Sequence, residues 1–351
     1  MRRPASVYVL VVSTILIIYT FFTLDLNLIE ALQVNQRNDQ LDLDLIKQQF
    51  VRTYPNVTLE EKDKFLRIKT DEYLRRRETI QSFCRNSSEP EFSRQIINNS
   101  LVYDAQDEVS YCMIPKAASS TWCTHFIDLG NPSKRIRSQY SQALQFLAPK
   151  LFPAPPLDTL QGEAWSKTTS LVVVRHPLAR LASVYQEKFV KYADNKSWGP
   201  LGRNIISMYR QKIEPREIIK PENENIPTPE EMIRFVTYQL NSMKRVDQHW
   251  KPQHESCPFC LLDFTVYARV EEINEDTLFF LITSGLEGRL NPGIRINPST
   301  HDERTFWSQV YNETISELLH PYQQDFLMFN YSARAYLENL NIPFSSALIY
   351  L

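Results

Sequence analysis

Two short segments of the chain each combine a strand-like run, a turn and side chains suited to holding an anion. The first, Tyr111–Trp122, is an apolar run that breaks at Pro115, delivers Lys116 and continues into small and hydroxylated residues. A helix is predicted from Thr121. A strand end followed by a helix N-terminus can hold an anion, because free backbone N–H groups and the helix dipole face the ligand. Lys116 adds a full positive charge, so the pattern predicts a phosphate or sulfate site.

The second segment repeats this design about 60 residues later. Three valines precede Arg175, a turn follows at Pro177, and the next predicted helix carries Arg180 and Ser183. Two anion sites at the ends of two strands predict a ligand with two separated phosphates. A nucleoside triphosphatase is disfavoured, because its loop requires G-x-x-x-x-G-K-[ST]. The chain contains no such motif and has only seven glycines.

The paired segments resemble the motifs of Golgi carbohydrate sulfotransferases, the family that includes chondroitin and dermatan 4-O-sulfotransferases. In that family a Pro-Lys loop binds the 5′-phosphosulfate of 3′-phosphoadenosine-5′-phosphosulfate (PAPS). An Arg-x-Pro turn, with a serine eight residues after the arginine, binds the 3′-phosphate. The resemblance covers roughly residues 80 to 350 and includes the block from His249 to Cys260. It implies these PAPS-binding residues: Pro115, Lys116, Ser119, Ser120, Thr121, Arg175 and Ser183.

The same resemblance implies an α/β, P-loop-like sulfotransferase fold, with a central parallel sheet flanked by helices. The implied reaction moves a sulfuryl group from PAPS to a sugar hydroxyl of a chondroitin- or dermatan-like glycosaminoglycan or of another glycan. The loop reads Lys-Ala-Ala-Ser-Ser-Thr-Trp, where vertebrate members typically read Lys-Val-Ala-Cys-Thr-Asn-Trp. Ser120 retains a hydroxyl group at the PAPS-binding position. The acceptor sugar and the sulfated carbon stay open.

Two residues are the leading catalytic candidates, Lys116 and His249. Sulfuryl transfer is an in-line displacement in which positioning and electrostatic stabilisation supply most of the rate. Lys116 is expected to neutralise the bridging oxygen as the bond from sulfur to that oxygen breaks. A sugar hydroxyl also needs a general base, and histidine has a suitable pKa. Of six histidines, His249 leads because it lies beside Trp250, while Glu271 is a carboxylate alternative.

Five cysteines predict one or two disulfide bonds and an odd thiol, with the pairing left open. His249, His254, Cys257 and Cys260 also have spacings that a zinc site could use. In an oxidising compartment Cys257 and Cys260 are expected to be disulfide-bonded, which removes the thiolates that zinc prefers. We expect no metal requirement, because neither phosphate loop brings the acidic ligands that magnesium needs.

The N-terminal part of the chain predicts a membrane anchor. Ser6–Leu24 carries no charge and nearly spans a ~30 Å hydrocarbon core, and Arg2 and Arg3 precede it. The positive-inside rule then predicts a single-pass type II protein of the Golgi membrane with a lumenal catalytic domain, which six N-glycosylation sequons fit. A cleaved signal peptide is the alternative. The predicted division is a cytosolic tail (1–5), a transmembrane helix (6–24), a lumenal stem (25–80) and the catalytic domain (81–351).

Strands and helices are predicted to alternate in the catalytic domain, which favours a parallel sheet with ligands at the carboxyl ends of its strands. Thr228 and Glu231 form a predicted capping box at one helix start. The predicted strands are Val109–Ile114, Ser170–Val174 and Leu261–Val270, and the predicted helices begin at Thr121 or span Leu178–Tyr192, Pro229–Leu240 and Glu272–Gly285.

Two other functions remain open at this point. A Golgi glycosyltransferase would need an Asp-x-Asp at a strand end, whereas Asp42-Leu-Asp44 lies in the predicted stem. A non-catalytic, glycan-binding relative would keep the fold without turnover. The net charge of −2 is compatible with a glycan acceptor, since association needs only a local positive surface. No nucleic-acid partner is expected.

Overall fold

The computed structural model describes residues 58–86, 94–140, 143–212, 224–242, 246–293 and 302–344. The predicted tail, anchor and most of the stem, including Asp42 and Asp44, lie outside these residues. No helix among the described residues is long and apolar enough to cross a membrane. The chain divides into two compact units, Met1–Lys64 and Phe65–Leu351. The sheet and the contacts around it lie within the second unit.

The described residues form four strands and a series of α-helices. The strands are β1 (Leu101–Asp104), β2 (Val109–Cys112), β3 (Thr169–Val174) and β4 (Val266–Arg269). The helices are α1 (Leu59–Asn86), α2 (Arg94–Ser100), α3 (Ser119–Gly130), α4 (Lys134–Gln139), α5 (Leu144–Leu151), α6 (Leu157–Leu160), α7 (Glu163–Lys167), α8 (Pro177–Val184), α9 (Trp198–Tyr209), α10 (Pro229–Ser242), α11 (Ile273–Thr283), α12 (Glu303–Trp307), α13 (Asn312–Leu319), α14 (Gln323–Met328) and α15 (Ala333–Asn339). A π-helical segment (Tyr185–Lys191) and two 3₁₀ segments (Gln253–Glu255 and Val270–Glu272) complete the helical structure.

The strands form one sheet in the order β1-β2-β3-β4. β1 is antiparallel to β2, whereas β2, β3 and β4 are mutually parallel, with Val172 opposite Cys112 on one side and Tyr267 on the other. The predicted parallel sheet is confirmed for these three strands. Five consecutive residues of β3 are buried, as expected for a parallel strand covered on both faces. The carboxyl ends of β2, β3 and β4 therefore meet at one edge of the sheet.

Several predicted boundaries agree with the structure, but two strands are shorter, and the strand predicted over Val109–Ile114 ends at Cys112. The capping box is confirmed: the Glu231 N–H donates to Thr228 Oγ1 at 3.2 Å, and the Thr228 N–H donates to Glu231 Oε2 at 2.7 Å. The predicted strand Leu261–Val270 is correct only over β4. The chain turns immediately before β4, where the Phe264 N–H donates to the Tyr267 hydroxyl at 3.2 Å.

The predicted helix Leu178–Tyr192 changes type near its middle. It is α-helical as far as Val184 and π-helical from Tyr185 to Lys191. The Tyr192 N–H donates to the Glu187 carbonyl at 3.2 Å, five residues back instead of four. The segment contains neither proline nor glycine, so the sequence carries no local signal for the change. Wider turns of this kind often occur at functional sites.

Two disulfide bonds connect distant parts of the described chain. Cys112, the last residue of β2, is bonded to Cys257, and Cys84 is bonded to Cys260. Cys123 is a free and buried thiol. The prediction of one or two disulfides with an odd thiol is confirmed, and Cys257 and Cys260 each pair with a distant partner. Among the described residues, no group of three or more His, Cys, Asp or Glu side chains is arranged to hold a metal ion.

Helix α1 packs against the catalytic body through residues that the sequence analysis assigns to the stem. Lys69, Tyr73 and Arg76 all donate hydrogen bonds to the fully buried carboxylate of Asp276 in α11, at 3.0, 2.7 and 3.3 Å. Leu66, Tyr73 and Ile80 are buried at a spacing of seven residues, which gives the helix one apolar face. The packed body therefore begins before residue 81. Many charged residues lie between these three positions, so the segment was interpreted as a solvated stem and its apolar spacing was not recognised.

Candidate active site

The loop between β2 and α3 has an unusual backbone. Lys116 and Ala118 adopt left-handed φ angles of 69° and 57°, and the Ala117 N–H donates to the Ile114 carbonyl at 3.1 Å. Non-glycine residues in this conformation are strained, and such strain is concentrated at functional sites. Ala118 is the N-cap of α3 and provides no side-chain hydrogen bond. The N-cap side chain therefore does not compete with a ligand for the first turn of α3.

Residues of this first turn are those predicted to contact a 5′-phosphosulfate. Ser119 and Ser120 are half-buried, and Thr121 is buried. Their backbone N–H groups lie at the positive end of a 12-residue helix. An anion placed here would satisfy the uncapped helix end, as the sequence pattern predicts.

Lys116 contacts a carboxylate that the sequence analysis did not identify. Its Nζ forms an ion pair with Glu187 Oε2 in the π-helical segment, and Lys188 Nζ lies 3.0 Å from Glu187 Oε1. Burial lowers the pKa of Lys116. Burial alone would raise the pKa of Glu187, but the charges of Lys116 and Lys188 lower it to about 2. Two cations and one carboxylate therefore meet beside the loop.

Arg175 follows β3 and is held through both its backbone and its side chain. Its N–H donates to Gln253 Oε1 at 2.9 Å, and Gln253 Nε2 donates to the Arg175 carbonyl at 2.8 Å. The guanidinium donates from Nη2 to Glu303 Oε1 at 3.0 Å. Ser183, the predicted partner for the same phosphate, is buried in α8.

The sheet brings the two predicted anion-binding segments to the same edge. Cys112 of β2 lies opposite Val172 of β3 in parallel register, and adjacent strands are separated by about 4.8 Å. Lys116 follows Cys112 by four residues, and Arg175 follows Val172 by three. The positive charge of Arg175 also contributes to lowering the pKa of Lys116, after burial and together with Lys188. The charges of Lys116 and Arg175 therefore act on each other across this edge of the sheet.

His249 lies close to Lys188, because the Trp198 ring contacts both side chains. The His249 and Trp198 rings meet edge to face with centroids 5.2 Å apart, and Lys188 Nζ lies 5.1 Å from the Trp198 ring centroid. Burial lowers the pKa of His249, and the charges of Lys188 and Arg180 add to this effect. An imidazole with a lowered pKa is neutral at physiological pH, as a general base must be.

Arg180 connects the Lys116 loop to the segment that carries His249. The side chain is fully buried. Its Nε donates to the Pro115 carbonyl at 2.8 Å, while Nη1 and Nη2 donate to the carbonyls of Lys251 and Gln248 at 2.8 and 3.0 Å. One guanidinium therefore fixes the relative position of both predicted catalytic residues.

The alternative base and the alternative zinc ligands have other roles. Both oxygens of Glu271 are engaged, because Oε1 accepts the His176 N–H at 2.8 Å and Oε2 accepts the Tyr331 hydroxyl at 3.0 Å. His254 Nδ1 lies 2.7 Å from Asp325 Oδ1 in a buried contact. With both cysteines of the proposed quartet in disulfides, the zinc interpretation is wrong.

Four residues that contact the predicted site residues were not identified from the sequence: Glu187, Asp247, Gln253 and Glu303. Asp247 accepts a hydrogen bond from His249 two positions away, a short-range pattern that the sequence does show. Glu187 lies within the predicted helix Leu178–Tyr192, but no charge pattern in the sequence connects it with Lys116. Glu303 lies 128 positions from Arg175, so no local pattern connects them.

A family model described as the sulfotransferase family matches residues 99–332. Carbohydrate sulfotransferase 11 of Rattus norvegicus is 25% identical over 281 residues, covering 75% of this chain and 77% of the relative. Carbohydrate sulfotransferase 8 of Mus musculus is 27% identical over 271 residues, covering 73% and 62%. Carbohydrate sulfotransferase 10 of Gallus gallus is 23% identical over 298 residues, covering 76% and 77%.

No solved structure matches the chain. The family match spans both anion-binding segments, the π-helical segment and His249, and it removes the glycosyltransferase alternative. Together with the two cationic residues at one sheet edge, it identifies the chain as a member of the sulfotransferase family and as a sulfate-transferring enzyme.

Proposed function

We propose that this enzyme is a Golgi carbohydrate sulfotransferase that moves the sulfuryl group of PAPS to a hydroxyl of a chondroitin- or dermatan-like glycosaminoglycan or of another glycan. The observation that carries the proposal is the placement of Lys116 and Arg175 after adjacent parallel strands, beside an uncapped helix N-terminus. PAPS carries two phosphate groups that match two such sites. The names of the relatives support a carbohydrate acceptor.

The residues at the sheet edge fit the two ends of PAPS. The loop at Pro115 and Lys116 would bind the 5′-phosphosulfate, together with the first turn of α3 at Ser119, Ser120 and Thr121. Arg175 would bind the 3′-phosphate, because its planar guanidinium can contact two phosphate oxygens at once. Ser183 would add a hydroxyl group. The N-terminus of α3 supports this assignment, since the Ala118 side chain makes no capping hydrogen bond that an anion would have to displace.

The proposed reaction uses one cation and one base. The acceptor oxygen forms a bond to sulfur, while the bond from sulfur to the bridging oxygen breaks and leaves its electron pair on the 5′-phosphate. Lys116 stabilises that developing charge, and His249 receives the hydroxyl proton. No metal is assigned a role, because Lys116 supplies the positive charge beside the oxygen that leaves.

The proposed topology is that of a type II membrane protein, anchored by residues 6–24 with the catalytic domain in the Golgi lumen. The two disulfide bonds support an oxidising compartment, where such bonds form and persist. The lumen is also where glycan chains are elaborated.

The test is isothermal titration of the full-length chain, in detergent, with 3′-phosphoadenosine-5′-phosphate. ATP and UDP serve as ligand controls. Arg175→Ala is compared with Arg137→Ala, an exposed arginine in α4 that pairs with Asp128. We expect micromolar binding of the bisphosphate alone, lost only in Arg175→Ala. Equal or absent binding of all three nucleotides by the folded chain would reject the proposal.

Turnover separates an enzyme from a glycan-binding relative. The wild-type chain is incubated with PAPS labelled in the sulfuryl group and with desulfated chondroitin, desulfated dermatan or a neutral N-glycan. Label transfer to one of these acceptors is the expected result. Nucleotide binding without transfer to any acceptor would favour the non-catalytic relative.

A further inference from the structure

The surroundings of His249 contain a carboxylate with no role in the reaction described so far. Asp247 Oδ1 lies 2.7 Å from His249 Nδ1 and also accepts the backbone N–H of His249 at 2.8 Å. One carboxylate oxygen therefore holds both the ring and the backbone of the same histidine. The His249 side chain is 17% exposed.

The chemistry of this contact determines which ring nitrogen carries the proton. Burial acts to raise the pKa of Asp247, but the hydrogen bonds from His249 and the charge of Lys188 lower it overall. The carboxylate is ionised and can only accept hydrogen bonds. His249 Nδ1 must then carry the hydrogen, which leaves Nε2 as the nitrogen that can receive a proton.

We infer that Asp247 is the positioning residue for the catalytic base, holding His249 in the tautomer whose Nε2 takes the acceptor proton. The inference rests on the proposed role of His249. When the acceptor oxygen bonds to sulfur, its O–H proton moves to Nε2 and the ring becomes an imidazolium. The Asp247 carboxylate stabilises this cation without itself receiving the proton, and the proton then passes to water. The same division of roles operates between aspartate and histidine in serine-protease triads.

Other charged and aromatic groups also face the ring. Lys188 from the π-helical segment and Arg180 from α8 disfavour the imidazolium, and Trp198 from α9 meets the ring edge to face. Asp247 acts in the opposite direction and favours the protonated form of the ring. Removing its charge should therefore lower the pKa of His249, and the limb where activity rises with pH should move to lower pH.

The matched pair of variants is Asp247→Asn and Asp104→Asn. Asparagine keeps an oxygen that can accept the His249 N–H, so the local turn is retained while the charge is lost. Asp104 makes the same kind of turn, accepting the N–H groups of Gln106 at 2.9 Å and Asp107 at 3.3 Å. It lies at the opposite edge of the sheet, next to the start of β2.

The first measurement is a histidine NMR titration of the full-length chain in detergent, with His249→Ala used to assign the signal. We expect Nδ1-protonated His249 in the wild type, and a lower His249 pKa in Asp247→Asn but not in Asp104→Asn. This measurement needs no acceptor. An Nε2-protonated ring, or an unchanged pKa in Asp247→Asn, would overturn the inference.

The second measurement is sulfuryl transfer to desulfated chondroitin from labelled PAPS, followed across pH. We expect Asp247→Asn to lower kcat at least tenfold, shift the rising limb to lower pH and leave bisphosphate binding unchanged. A uniform loss of stability and binding, with no shift of the limb, would indicate a structural role and reject the inference. Full activity in His249→Ala would instead reject the proposed base, and absent bisphosphate binding in the wild type would reject the proposed function.

Discussion

The Arg175 guanidinium and the Glu303 carboxylate form an ion pair of 3.0 Å at the carboxyl end of β3. Arg175 is the residue proposed to bind the 3′-phosphate, so Glu303 carries the same charge sign as the ligand. Both side chains are mostly buried, which limits screening by solvent and salt. The carboxylate therefore repels an incoming phosphate while it neutralises the arginine.

We expect Glu303→Gln to tighten binding of 3′-phosphoadenosine-5′-phosphate by roughly three- to tenfold, or about 1 kcal/mol. Glutamine removes the charge and retains an oxygen for the Tyr336 hydroxyl, which donates to Glu303 Oε2. Isothermal titration measures the effect. Glu163→Gln, at an exposed position paired with Lys167, is the control and should change nothing. Weaker binding by Glu303→Gln would show that Glu303 instead orients Arg175.

Arg180→Lys tests whether the buried guanidinium holds the loop at Pro115 and the segment from Gln248 to Lys251 together. Lysine cannot reach three carbonyls in two separate loops, so at least one loses its donor. Each buried carbonyl left without a partner costs about 1–3 kcal/mol. We expect a lower free energy of unfolding in urea and a reduced kcat, because Lys116 and His249 are no longer held together. Unchanged stability and kcat would mean that the loops are positioned independently of Arg180.

The Lys116–Glu187 pair predicts a specific dependence of stability on pH. The pKa of Glu187 is about 2 in the folded chain and near 4.5 when unfolded, so the carboxylate stabilises the fold above pH 4.5. This contribution is lost as the pH falls from about 4.5 to 2. Protonated glutamate resembles glutamine, so wild type and Glu187→Gln should differ most at neutral pH and converge near pH 2. Urea unfolding from pH 2 to 7 measures the difference, and a constant gap would contradict the pKa assignment.

Helix α1 allows a direct test of where the packed body begins. A chain that begins at residue 81 loses Lys69, Tyr73 and Arg76 and leaves the Asp276 carboxylate with the Arg269 N–H at 2.7 Å as a remaining partner. The truncation also removes the apolar face formed by Leu66, Tyr73 and Ile80, whose burial stabilises the body. We expect the 65–351 chain to be more stable than the 81–351 chain in thermal unfolding.

Asp276→Asn provides the matched variant for this comparison. The substitution should destabilise the 65–351 chain, where the carboxylate has cationic partners, and should have a much smaller effect on the 81–351 chain, where it has lost them. An equal effect in both chains would show that α1 is dispensable for the body, in agreement with a stem that ends at residue 80.

Much of the sheet edge was predictable from sequence because its determinants are local. The three valines before Arg175 and the Pro-Lys break after β2 specify strand ends directly, and parallel pairing then brings these ends together. Glu303 and Asp276 could not be predicted, since their partners lie 128 and about 200 positions away. The change from α to π helix at Tyr185 was also unpredictable, because it depends on tertiary contacts and not on a breaking residue.

In the π-helical segment, the length of the chain between Val184 and Tyr192 matters as well as the identity of Glu187 and Lys188. Deleting Tyr185 or Gln186 would let α8 continue in ordinary register, and each following side chain would rotate by about 100° around the axis. Glu187 would turn away from Lys116, and Lys188 would turn away from Trp198 and His249. Substitutions at the exposed position Val190 should be tolerated, whereas an insertion or deletion of a single residue before Glu187 would separate the loop proposed to bind the phosphosulfate from the proposed base.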